Sequence, residues 1–93
     1  MADISITRSH SVEAGVLRGR LEELARDMKT KYGIRSRWEG DTCHLDGAGL
    51  KQGVVRISPT SLTLELTLGM MLKLLKPKIE EEIGRKIGKV LAP

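Results

Sequence analysis

The sequence predicts a two-layer α+β domain spanning residues 1–93, in the order β-α-β-β-β-β-α. One antiparallel sheet is covered by two amphipathic helices. Three observations carry this. Five short runs alternate apolar and polar residues with a period of two. Two longer stretches repeat apolar residues every three or four positions. The turns between the later strand runs are short, which makes those strands antiparallel neighbours. A sheet with one apolar face and two striped helices then close on each other as two layers.

The first strand comes from Ile4 and Ile6 alternating with Ser5 and Thr7, over roughly residues 3–8. Ser9 and Ser11 follow, and either is a residue type that caps a helix. Leu17, Leu21, Leu24 and Met28 then form one stripe, with Ala14, Ala25 and Tyr32 on its shoulders. Gly33 suits the left-handed position that stops such a helix. Ile34, Ser36 and Trp38 alternate with Arg35, Arg37 and Glu39, and Gly40-Asp41 turns the chain. Cys43 and Leu45 alternate with Thr42, His44 and Asp46. A glycine-punctuated connection is expected from Gly47 to Gly53, with a turn at Gly47-Ala48-Gly49. Val55 and Ile57 mark the fourth strand, and Pro59-Thr60-Ser61 the next turn. Leu62, Leu64, Leu66 and Leu68 line one face of the fifth.

After Gly69 the pattern changes to a nearly continuous apolar run, Met70 to Leu75, interrupted by Pro77. Ile79, Ile83, Ile87 and Leu91 then recur every four residues. The helix begins either near residue 76, with Pro77 in its first turn, or near Met70 with a kink at Pro77. The continuous stripe Leu72, Leu75, Ile79, Ile83 favours the second. Glu80, Glu81 and Glu82 early and Arg85, Lys86 and Lys89 late suit the helix dipole. Glu81–Arg85 and Glu82–Lys86 are favourably ordered pairs four apart. Gly84 and Gly88 suggest a close backbone approach.

Composition excludes several functions. There is one Trp, one Tyr and no Phe, too few aromatics for a base-stacking platform. A single Cys builds neither an internal disulfide nor a thiolate-rich zinc site. No run approaches the ~18 apolar residues of a membrane span. Neither a secretory leader nor a lipidation motif is visible, so a cytoplasmic location is expected. No His/Cys/Asp/Glu spacing suits a metal, no phosphate-cradling loop is present, and no cofactor is expected. The net charge of +4 is uneven. Residues 70–93 hold six basic and three acidic side chains, beside the most apolar run in the chain.

That juxtaposition marks the candidate interaction surface: Met70, Met71, Lys73, Leu74, Lys76 and Lys78. If Leu72 and Leu75 face the sheet, then Met70, Met71 and Leu74 point elsewhere. They contact a second copy in a homodimer, a hydrophobic ligand or an apolar particle surface, unless the segment is a core-crossing helix start. His10 is read as a packing or capping residue rather than a catalytic one. Cys43 is read as a small buried hydrophobe, and Trp38 as an anchor at the core edge. No catalytic residue emerges.

The run Ile6-Thr7-Arg8-Ser9-His10-Ser11, then Lys31-Tyr32-Gly33, then Arg37-Trp38-Glu39-Gly40-Asp41 resembles the polyhydroxyalkanoic acid system family. The likeness continues through Gly53-Val54-Val55-Arg56-Ile57 and Leu66-Thr67-Leu68-Gly69 to Ile79-Glu80-Glu81-Glu82-Ile83. These are small bacterial proteins named for granule-associated or regulatory roles in polyhydroxyalkanoate storage. His10, Trp38 and Gly69 match recurrent family positions. The resemblance implies a non-enzymatic accessory protein that binds a granule surface or granule proteins. The alternative is a small carrier of a hydrophobic acyl ligand, held between sheet and C-terminal helix. The last strand, glycine and long helix also resemble the end of a START-like helix-grip domain. Nucleic acid is not expected as a partner, since no helix-turn-helix spacing accompanies the charge.

Overall fold

The computed structural model describes residues 2–47 and 49–92. The elements are β1 (Ile4–Ser9), α1 (Ala14–Tyr32), β2 (Arg35–Glu39), β3 (Thr42–Gly47), β4 (Leu50–Ile57), β5 (Ser61–Leu68), α2 (Met70–Lys73) and α3 (Lys76–Val90). The five strands form one antiparallel sheet in the order β1-β5-β4-β3-β2. Helix α1 carries the chain from one sheet edge to the other. The four following strands then meander back until β5 pairs with β1. The α+β class and element order are those the sequence predicts.

Alternation decides which face is covered. Leu62, Leu64, Leu66 and Leu68 of β5 are all buried, with Ile4 and Ile6 opposite Leu66 and Leu64. Val55 and Cys43 extend this face across β4 and β3, and Leu17, Leu21, Ile87 and Val90 close it from the helices. The opposite face is a lattice of polar pairs: Arg35–Asp46 at 2.9 Å, Arg56–Glu65 at 2.5 Å and Thr7–Thr63 at 3.4 Å. Cross-strand pairs of this kind contribute little individually but suit a solvated face.

Four local expectations are corrected. Neither Ser9 nor Ser11 caps α1; Ser9 belongs to β1, and the cap is Glu13. Its carboxylate accepts from the Gly15 N–H at 3.0 Å and the Val16 N–H at 3.1 Å. The segment from Gly47 to Gly53 is not all connection, since β4 begins at Leu50 and contains Gly53. Gly53 is required there by sterics, because a Cβ would lie 2.9 Å from Leu45 Cβ. Ala48, in the expected turn, lies outside the described residues. Gly84 and Gly88 mark no close approach, because a Cβ on either meets nothing within 4 Å.

The fourth correction concerns the C-terminal region. It is not one kinked helix but two helices, with Leu74 and Leu75 in a turn between them. Pro77 has no N–H for the Lys73 carbonyl, and its ring crowds that carbonyl, so the helix stops short and restarts. The Leu75 N–H instead bonds Leu72 O at 3.0 Å, and Pro77 sits in the first turn of α3. The first turn of α3 therefore holds Lys76 and Lys78 and no acidic residue. Of the two expected pairs, Glu82–Lys86 forms at 3.9 Å and Glu81–Arg85 does not.

Candidate functional site

Helices α1 and α3 run antiparallel across the sheet. Near one end, the Arg20 guanidinium donates to Val90 O at 2.9 Å and Ala92 O at 2.6 Å. Toward the other, the Tyr32 hydroxyl donates to Glu82 Oε1 at 3.3 Å. Burial along each helix fades toward that second end. In α1 it falls from buried Leu17 and Leu21 through half-buried Leu24 and Met28 to exposed Tyr32. In α3 it falls from buried Ile87 and Val90 to half-buried Ile83 and Ile79. Both helices thus stand away from the sheet at the same end and leave a wedge.

The wedge is a cavity of about 620 Å³. Its floor is β3–β5, including Cys43, Val55, Leu64, Leu66 and Leu68, and its side walls carry Met28, Ile79 and Ile83. Leu72 and Leu75 stand at its α2 end. Its few charged groups are Lys78, Glu82 and Lys86. Glu82 is held by Tyr32 and Lys86, whereas Lys78 makes no ion pair among the described residues. Burial pushes the Cys43 thiol above its ordinary pKa, so it stays protonated and unreactive near neutral pH.

The candidate interaction surface lies outside the same two turns. Met70 is 84% exposed, Met71 83% and Leu74 83%, while Leu75 is 52% exposed and also reaches the cavity. Lys73 and Lys78 are exposed beside them and Lys76 is half-buried. Gly69 is what allows this turn-off: its N–H donates to Gly49 O at 2.8 Å, and a Cβ would lie 2.5 Å from that oxygen. Leu72 in turn packs over Gly49. One face of α2 therefore serves the cavity and the other is bare.

The two remaining family-pattern residues are brought neither to the cavity rim nor to the exposed patch as a pair. His10 is a strap between the β1–α1 junction and the β4–β5 turn. Its Nδ1 accepts from the Val12 N–H at 3.1 Å, which leaves Nε2–H to donate to Ser58 O at 2.9 Å and Ser61 O at 3.2 Å. Trp38 is half-buried on the cavity wall, with the Arg18 guanidinium 4.5 Å from its ring centroid.

In the sequence this cavity is implied only by the START-like resemblance, through the alternative of an acyl ligand held between sheet and C-terminal helix. The signal available was the aromatic poverty of the chain: two wide layers filled by aliphatics alone leave space, and the single Trp and single Tyr both stand on the cavity wall. No helix is long and apolar enough to cross a membrane among the described residues. Groups of three or more His, Cys, Asp or Glu side chains able to hold a metal are also absent among them.

A single open antiparallel sheet with helices on one face, an apolar cleft beneath them and a bare apolar–basic turn define a small two-layer α+β protein. A family model described as "Putative polyhydroxyalkanoic acid system protein" matches residues 4–91. The chain belongs to that family. No curated protein and no solved structure matches it.

Proposed function

We propose that this protein is a non-enzymatic accessory of the polyhydroxyalkanoate system that docks on the storage granule through the α2–α3 turn. The observation that carries the reading is the bare apolar knuckle Met70, Met71 and Leu74, flanked by Lys73, Lys76 and Lys78. Large side chains exposed together, ringed by cations, suit an interface that is apolar beneath and anionic at its surface. Methionine adapts to an irregular surface because it is unbranched and polarizable. A non-catalytic role is supported by the groups that chemistry would need. Both ring nitrogens of His10 are engaged with backbone. The Cys43 thiol is buried and its pKa raised.

Co-sedimentation with washed polyester granules tests the reading. Burying one leucine contributes about 2 kcal/mol, so Leu74→Glu is expected to weaken binding about 30-fold or more. Wild-type protein that stays in the supernatant, or a Leu74→Glu variant that sediments equally well, overturns it.

A further inference from the structure

We infer that the cleft between the sheet and α3 is a binding site for one aliphatic acyl chain, with the polar end of the ligand at Lys78. This goes beyond the docking reading and uses the interior of the cleft, which shares only Lys78 with the docking surface.

The first support is shape. A volume of about 620 Å³ lies within the roughly 300–1,000 Å³ typical of small-molecule sites. The cleft is deep because both helices diverge from the sheet at one end, and it is tied at the other by Arg20 bridging to Val90 and Ala92. The second is chemistry. The floor and sides are mostly leucine, isoleucine, valine and methionine side chains, with Trp38, Tyr32 and Cys43 among them. Such a wall gives a strongly polar ligand few hydrogen-bond partners inside, while a flexible hydrocarbon chain loses only water. The third is the placement of charge. Glu82 is already engaged by the Tyr32 hydroxyl and Lys86, so its carboxylate does not compete for Lys78. Lys78 also sits in the first turn of α3, where the helix dipole adds to its positive potential. An apolar slot with one unpaired cation at its rim matches an acyl chain ending in a carboxylate or an acyl ester.

The chain carries its own reporter, because Trp38 is the single tryptophan and stands on the cavity wall. The test is a fluorescence titration of the purified protein, without granules, against octanoate, dodecanoate and hexadecanoate below their micelle concentrations. Dodecanol and a dodecanoyl thioester of a small neutral thiol are titrated alongside. The expected result is a saturable one-to-one response with a raised Tm. Lys78→Glu should weaken dodecanoate about tenfold and leave dodecanol within about twofold. Ala25→Phe, which projects a ring into the cleft from α1, should abolish the response. A stronger response to dodecanoate than to the thioester identifies the free acid as the source, and the reverse identifies the ester; both support the site. Since a ring at position 25 can also disturb folding, isothermal calorimetry of dodecanoate with the unaltered chain provides a second readout, in which saturable one-to-one binding is expected. Leu74→Glu, outside the cleft, should bind as wild type, so failure here is distinguishable from failure to dock on granules.

The inference is overturned by any of three results. One is no saturable response to any chain length. Another is a folded Ala25→Phe variant that binds as wild type. The third is concentration-dependent dimerisation that shields Trp38 and is lost in Ala25→Phe, which makes a second copy the occupant.

Discussion

Strand β5 and the apolar run Met70–Leu75 that follows it are separated by one residue, Gly69, yet most of their large apolar side chains have opposite fates. Leu62, Leu64, Leu66 and Leu68 are buried, while Met70, Met71 and Leu74 are among the most exposed large side chains in the molecule. The difference is one of neighbours. β5 is flanked by β4 and β1 and roofed by helices, so each leucine gains partners on every side. α2 lies past the end of the sheet, where only Leu72 meets the rest of the domain. Hydrophobicity alone therefore does not report burial; a side chain must also be carried to where the layers meet.

The sharpest way to break the comparison is to truncate on each side of Gly69. Leu68→Ala removes a fully buried side chain and is expected to cost about 2–5 kcal/mol. That is a large part of the stability of a domain this size, and denaturant unfolding measures it. Leu74→Glu, on the exposed side, should change stability by less than about 0.5 kcal/mol in the same experiment. A large loss at Leu74 would mean the knuckle is covered in solution, by a second copy or by the domain itself.

Gly69 and Gly84 sharpen the same contrast with an identical chemical change. At Gly69 a methyl group would lie 2.5 Å from Gly49 O, which is backbone and gives way only if the β3–β4 connection shifts. Gly69→Ala is expected to destabilise by about 1–3 kcal/mol. At Gly84 a methyl group meets nothing within 4 Å, and the site is inside a helix. Gly84→Ala is expected to stabilise by about 0.5–1 kcal/mol. Opposite signs in thermal unfolding are the outcome to look for.

What was legible in the sequence follows from the range of the forces involved. The period-two alternation of β5 and the stop at Gly33 are local signals, and both stand as read; Gly33 adopts a φ of 73°. The Glu13 cap is hidden in the sequence because serines outrank glutamate as caps, yet here the glutamate lies close enough to reach two N–H groups. Gly53 reads as a loop residue in the sequence because its reason, the crowding of Leu45 and Leu66 on adjacent strands, is not local. The break at Leu74–Leu75 was hidden by an unbroken apolar stripe, which Pro77 overrules through a single missing donor. The exposed residues Met70, Met71 and Leu74 were legible as a surplus face. A space beneath α3 enters the sequence reading only through the START-like resemblance, because its size depends on how far two helices stand from a sheet.

The smallest expected effect lies at the boundary itself. The Leu68 N–H, the last of β5, donates to Asp3 Oδ2 at 2.7 Å. That bond, aided by the nearby charges of Lys73 and Lys76, holds the Asp3 carboxyl below its ordinary pKa. A carboxylate whose pKa is lower in the folded chain favours folding wherever the unfolded chain would still ionise it. Its contribution is therefore complete above the ordinary carboxylate value of about 4 and is lost as pH falls through the lower folded value. Asp3→Asn should lower the Tm slightly at neutral pH, and the gap to wild type should close on acidification. A gap that stays constant down to the acid-unfolding region would mean that the junction of β5 and α2 is held by the side-chain shape at position 3 and not by its charge.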